Sequence, residues 1–129
     1  MKALIIDDSL AMRSILKKIV SPLGYEIVQA ANGQEGLQQL ASHQIELILV
    51  DWNMPVMNGL EFAKSVRADE RHKATKLVMV TTETEPEQMV RALKVGVDEF
   101  VMKPFTTEIL VEKLRYIGVN IPSESPTSC

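Results

Sequence analysis

Short apolar runs alternate along this chain with segments whose apolar residues recur every third or fourth position. The runs are ALII, EIVQA, ELILV, KLVMV and EFVM. Brief, Val/Ile/Leu-rich stretches of this kind suit strands covered on both faces. Between them, Met12, Ile15, Leu16, Ile19 and Leu23 stand at helical spacing, as do Gly33, Leu37, Leu40 and Ala41. Leu60, Ala63 and Val66 mark a third helix. Met89, Ala92, Leu93 and Gly96 mark a fourth, and Leu110, Leu114 and Ile117 give the last its buried stripe.

Five strand-helix units follow from this alternation, which is the pattern of a parallel sheet with helical crossovers. Asn32 with Glu35, and Thr84 with Glu87, have the spacing of capping boxes, and Pro86 suits a first helical turn. Right-handed crossovers point all strands one way, so the residues that follow them gather along one edge, where ligands of open α/β sheets bind. Beyond Ile117 the periodicity stops. The expected organisation is one domain over residues 1–118 and a disordered tail or linker stub over 119–129, rich in Pro and Ser.

Composition narrows the class. The chain has 129 residues, 46% hydrophobic and 24% charged, which suits a single globular domain with one well-formed core. A net charge of −3 leaves no basic footprint for nucleic acid. No apolar run approaches the roughly 18 residues of a membrane span, and the N-terminus lacks the pattern of a signal peptide, so a cytoplasmic protein without membrane contact is expected. Cys129 has no partner for a disulfide or a metal, and His43 and His72 lack ligand spacing.

The residues collected at the sheet edge change the picture most. Asp7 and Asp8 follow the first strand, Asp51 the third, Thr81 and Thr82 the fourth, and Lys103 the fifth. Singly, each has an ordinary explanation: Asp8 as an N-cap, Asp51 as part of a turn with Asn53 and Pro55, Thr81 as a β-branched strand residue, Lys103 as a surface charge. Together, three carboxylates repel one another unless a cation joins them, and Lys103 offers one compensating charge. Two or three carboxylates with a backbone carbonyl and waters suit octahedral Mg²⁺. With Mg²⁺ and Lys103 the site would be near neutral and open to a phosphoryl group. A carboxylate can then act as nucleophile to form an acyl phosphate, and Asp51, alone at the end of a central strand, is the candidate. Lys103 and the Thr81 hydroxyl would hold the phosphoryl oxygens.

The stretches LIIDDS, LVDWNMPVMNGLEF, VMVTTE and FVMKPF resemble the receiver domains of two-component response regulators, and DWNMP, MNGLEF and SVRAD resemble the single-domain chemotaxis (CheY-like) subgroup. The resemblance spans about residues 2 to 118, in order and spacing. It implies a doubly wound, flavodoxin-like α/β fold with five parallel strands in the order 2-1-3-4-5 and five helices, an order for which a chemotaxis regulator is a standard example. It implies Asp51 as phosphoacceptor, with Asp7, Asp8, Asp51 and the carbonyl of Asn53 as the Mg²⁺ set. It also implies Thr81 and Phe100 as switch residues, Lys103 as the phosphoryl-contacting lysine, and a cis Lys103–Pro104 bond.

By the same resemblance the chain is a switch and not a conventional enzyme, catalysing only its own phosphorylation and dephosphorylation. Its implied partners are a sensor histidine kinase, a phosphatase, and a downstream effector such as a flagellar motor switch protein; a monomer is expected. Thr82 is bulkier than the family's usual residue, Phe100 lacks a tyrosine hydroxyl, and Asn53 and Glu83 stand where hydrolysis is tuned. Alternatives are a receiver fragment or phosphorelay intermediate, a module signalling without phosphate, and two other classes. A haloacid-dehalogenase-like phosphatase would need an Asp where Asn53 stands. A flavodoxin-like nucleotide binder would need glycines where the first loop has DDSLAMR.

Overall fold

The computed structural model describes residues 1–82, 85–119 and 121. Five strands, β1 (Lys2–Ile6), β2 (Glu26–Ala30), β3 (Leu47–Val50), β4 (Lys76–Thr81) and β5 (Glu99–Met102), alternate with five helices. The helices are α1 (Leu10–Val20), α2 (Gly33–Ser42), α3 (Gly59–Arg67), α4 (Pro86–Val95) and α5 (Thr107–Tyr116). Short 3-10 turns at Ser21–Leu23 and Glu70–His72 lead into β2 and β4. All pairings are parallel, in the order β2-β1-β3-β4-β5. The chain therefore has the expected doubly wound α/β architecture.

Strand periodicity divides the core in two. Leu4, Ile6, Ile48, Val50, Leu77 and Met79 face one side, against Leu40 of α2, Phe62, Ala63 and Val66 of α3, and Ala92 of α4. Ala3, Ile5, Leu47, Leu49, Val78 and Val80 face the other, against Leu16 and Val20 of α1 and Leu110 and Leu114 of α5. Each side chain enclosed in this way contributes about 1.5–3 kcal/mol over its exposed state, which is why β3 is apolar throughout and β1 and β4 carry polar residues only at their ends.

Local signals fix where the helices start. Asn32 accepts from Glu35 N, while Glu35 Oε1 takes the amide of Ala31, one residue short of a reciprocal box. A complete capping box forms instead at Asn58 and Glu61, at the head of α3. Helix α4 begins with Pro86 after an N-cap at Glu85, which makes no side-chain capping bond. Thr84, from which a capping box with Glu87 was expected, lies outside the described residues, as does Glu83.

The packing continues past residue 118. Val119 and Ile121 are 7% and 6% exposed, and Val119 joins the α1/α5 side of the core, so the apolar contacts run on into the stretch expected to be tail. The backbone turns there at Gly118 (φ +81), letting Val119 fold back, its N–H donating to Leu114 O. Residues 120 and 122–129 lie outside the described residues.

Candidate functional site at the carboxyl ends of the strands

The ladder hydrogen bonds run one residue beyond each strand and so place the polar groups. Asp7 N donates to Ala30 O at 3.2 Å, Asp51 N to Ile6 O at 3.0 Å and Lys103 N to Thr81 O at 2.9 Å. Each residue is thus held by backbone bonds that do not depend on its side chain. Its carboxylate or ammonium emerges at a fixed height over the sheet edge.

Asp7, Asp8 and Asp51 meet there, each presenting a carboxylate oxygen within 4.8 Å of the others. Asp7 is 1% exposed and Asp51 8%, whereas Asp8 faces solvent. The Lys103 ammonium bridges the two buried acids, 2.9 Å from Asp7 Oδ2 and 3.3 Å from Asp51 Oδ2. Burial alone would pull the Lys103 pKa down. The hydrogen bond to Asp7 and the charges of Asp51 and Asp7 outweigh it, so the pKa stands above the ordinary lysine value. Three carboxylates against one ammonium still leave a formal charge of −2 in one small pocket.

That donor set fits a hard dication. An octahedral Mg²⁺ with oxygens at about 2.1 Å needs neighbouring oxygens roughly 3 Å apart and opposite ones roughly 4.2 Å apart, inside the spread found here. Asn53, exposed on the loop after β3, turns its N–H back to within 3.4 Å of Asp51 Oδ1, which keeps its peptide beside the carboxylates.

The loop from Trp52 to Asn58 is built to hold this position. Gly59 donates to Trp52 O at 2.9 Å, and a Cβ at residue 59 would collide with Asp51 O and lie 2.9 Å from Trp52 Cα. Only glycine lets α3 begin this close to the end of β3. Val56, 73% exposed, adopts a left-handed backbone (φ 71), a conformation unfavourable for a β-branched residue.

Thr81 is fully buried at the end of β4, and Thr82 beside it is exposed. The Lys103–Pro104 bond is cis. Phe100 is only 5% exposed and belongs to the core side that contains Met79 and Ala92. The ring of this expected switch residue thus rests buried among apolar side chains. The physical reason is the one the sequence offers: phenylalanine has no hydroxyl whose burial must be compensated.

One site residue was not anticipated. Arg13, on the first turns of α1, donates from Nη1 to the carbonyl of Asp7 at 2.6 Å and from Nε to Gln29 Oε1 at 3.1 Å. The signal was present in DDSLAMR as a cation six residues after Asp7, but its target is a main-chain oxygen, which no side-chain motif displays.

The sequence matches the response regulator receiver domain over residues 3–115. It is 45% identical over 123 residues to the chemotaxis protein CheY1 of Helicobacter pylori, covering 93% of this chain and 99% of that protein. It is 41% identical over 118 residues to the chemotaxis protein CheY of Pseudomonas aeruginosa, covering 91% and 95%. The structure of the chemotaxis response regulator CheY4 of Vibrio cholerae superposes with a TM-score of 0.84 at 38% identity, covering 90% of this chain and 97% of that one.

Proposed function

This chain belongs to the response regulator receiver domain family, and on that premise we propose that it is a signalling switch turned on by phosphorylation of Asp51. The observation that carries this is the pocket in which Lys103 Nζ bridges Asp7 and Asp51 while Asp8 completes the acidic trio. An oxygen of Asp51 attacks the phosphorus of a phosphohistidine or small phosphodonor, the new P–O bond forms in line, and the donor's nitrogen or oxygen leaves with its electron pair. Lys103 donates to a phosphoryl oxygen as its contact with Asp51 Oδ2 is given up. Mg²⁺, held by Asp7, Asp8, Asp51 and the carbonyl of Asn53, would neutralise the remaining phosphoryl oxygens.

Phosphorylation adds a second negative charge and strong acceptors, towards which the Thr81 hydroxyl turns. A hydrogen bond to a charged group contributes about 1.5–3 kcal/mol. Reversing a two-state equilibrium from mostly off to mostly on takes about 5.5 kcal/mol, so Thr81 needs help. Lys103 supplies it through the chain: its N–H binds Thr81 O, and β5, just before it, is tied to α5 by Lys113, whose Nζ donates to Phe100 O at 2.8 Å and pairs with Glu99 at 3.6 Å.

The output surface is the face formed by α4, β5 and α5, where Val90, Leu93, Ile109 and Tyr116 are exposed. The chemotaxis relatives support a role in chemotaxis or motility, and the proposal places a histidine kinase upstream, an effector on that face and the whole switch in the cytoplasm. Among the described residues no helix is long and apolar enough to cross a membrane.

The test is labelling with acetyl phosphate and Mg²⁺, read by intact mass. One hydroxylamine-labile phosphoryl group is expected on the parent and none on Asp51→Asn. Undiminished labelling of the variant would refute the acceptor assignment.

A further inference from the structure

Asp7 is held at every polar atom. Its N–H reaches Ala30 O, Oδ1 takes the amide of Ser9 at 2.9 Å, Oδ2 takes Lys103 Nζ, and its carbonyl takes Arg13 Nη1 at 2.6 Å. The last bond differs in kind from the rest. It fixes the plane of the Asp7–Asp8 peptide, and that plane decides where the exposed carboxylate of Asp8 points. The guanidinium is itself fixed from the other side, since Nε donates to Gln29 Oε1 on β2, the strand that pairs with β1 in the register Ile5↔Gln29.

We infer that Arg13 is a positioning residue of the phosphorylation site: through the Asp7 carbonyl it sets the geometry in which Asp7 and Asp8 receive a divalent cation. This rests on the reading of the acidic pocket given above. Arg13 suits the task because its planar fork places two donors at once, one on the main chain of the site and one on the neighbouring strand; a lysine ammonium lacks that fixed geometry. Groups that orient metal-binding side chains typically alter affinity 10- to 100-fold when removed.

Charge and position predict opposite signs. If Arg13 acted only as a nearby cation, its removal would lessen repulsion of Mg²⁺ and tighten binding. If it positions the acids, removal weakens binding.

The experiment is Mg²⁺ titration of the full chain, followed by fluorescence of Trp52, which adjoins Asp51, and by calorimetry. Arg13→Ala, Arg13→Lys and Gln29→Ala are compared with the parent, with thermal unfolding in EDTA run alongside. The expected result is about 10-fold weaker Mg²⁺ binding in Arg13→Ala, partial recovery in Arg13→Lys, and an intermediate loss in Gln29→Ala. The Asp8 amide signal should shift in the metal-free NMR spectrum of each variant. Unchanged or tighter Mg²⁺ binding in a folded Arg13→Ala overturns the inference and leaves the pocket assignment standing. Failure of the parent itself to bind Mg²⁺ overturns both.

Discussion

Both edges of the sheet carry charged groups and use them differently. At the amino ends of the strands, a groove of about 550 Å³ lies between the α2–β3 connection and the turn before β4, lined by His43, Glu46, Arg71, His72 and Thr75 among others. Its charges are satisfied locally: Arg71 with Asp69 at 2.7 Å, Lys2 Nζ with Glu26 at 3.5 Å, Glu46 Oε1 with Lys2 N at 2.7 Å. At the carboxyl ends three acids converge, two of them buried, and one lysine bridges the buried pair. The charges around the groove close on one another, whereas the acidic trio keeps a formal excess, and that excess is what places the proposed chemistry there. Uncompensated charge at a strand end, more than empty volume, locates the site.

The sharpest way to break that comparison is to remove one acid from each edge. Asp51→Asn should lose all labelling by acetyl phosphate, while Glu46→Gln should keep it in full. A labelling defect in the second variant would give the groove a part in the reaction. Next in size, Gly59→Ala drives a methyl group into Asp51 O and Trp52 Cα, backbone atoms that cannot swing aside. Overpacking of this kind costs about 3 kcal/mol, to be read from urea midpoints, and it should slow phosphorylation as well because it displaces Asp51.

Removing one cation from each edge gives a subtler contrast. The Lys103 side chain is 15% exposed and faces a nearly buried Asp7, so Lys103→Met in metal-free buffer should destabilise the fold by about 2 kcal/mol, below the full value for a wholly buried pair because water still reaches the ammonium. Millimolar Mg²⁺ should restore much of the loss. Because the folded pKa of Lys103 is raised, its contribution is complete below the unfolded lysine value of about 10.4 and disappears as pH rises through the folded value. An alkaline limb that Lys103→Met does not flatten would break this account. A smaller effect of opposite sign belongs to Val56, where asparagine tolerates the left-handed backbone better. Val56→Asn should gain about 1 kcal/mol in chemical unfolding.

Much of this was legible in the residue order, and the exceptions share a cause. Strand positions, topology and the residues following each strand depend on periodicity and chirality, which are local or general, so Asp7, Asp8, Asp51 and Lys103 could be brought together on paper. Arg13 could not, because its partners are a carbonyl and an amide on another strand. Gly59 and the Asn58–Glu61 box sit inside a motif quoted for its acid, where the demands of close packing were masked by the chemistry. Val119 and Ile121 were assigned to a polar tail because two isolated apolar residues have no period. The switch role of Phe100 rests on the resemblance alone, while its burial follows from an apolar ring with no hydroxyl to hydrate.

The smallest effect lies at the amino edge and checks that its pairs are merely local. Asp69 has its pKa held at about 2, first by the side-chain hydrogen bond from Arg71, then by the Arg71 backbone N–H at 3.0 Å, with the charges of Arg71 and His72 adding to it. A depressed carboxylate contributes stability above its unfolded value of about 3.8, and that contribution is lost as pH falls through about 2. Arg71→Ala removes the side-chain bond and leaves the backbone one, so the Asp69 carboxyl should titrate between those two values by NMR, with no measurable change in thermal unfolding at neutral pH. The Arg71 side chain is 72% exposed and that of Asp69 31%, so water can replace the lost partner. A neutral-pH destabilisation as large as that of Lys103→Met would mean that the two edges are not different in kind, and that the groove conceals a buried charge network of its own.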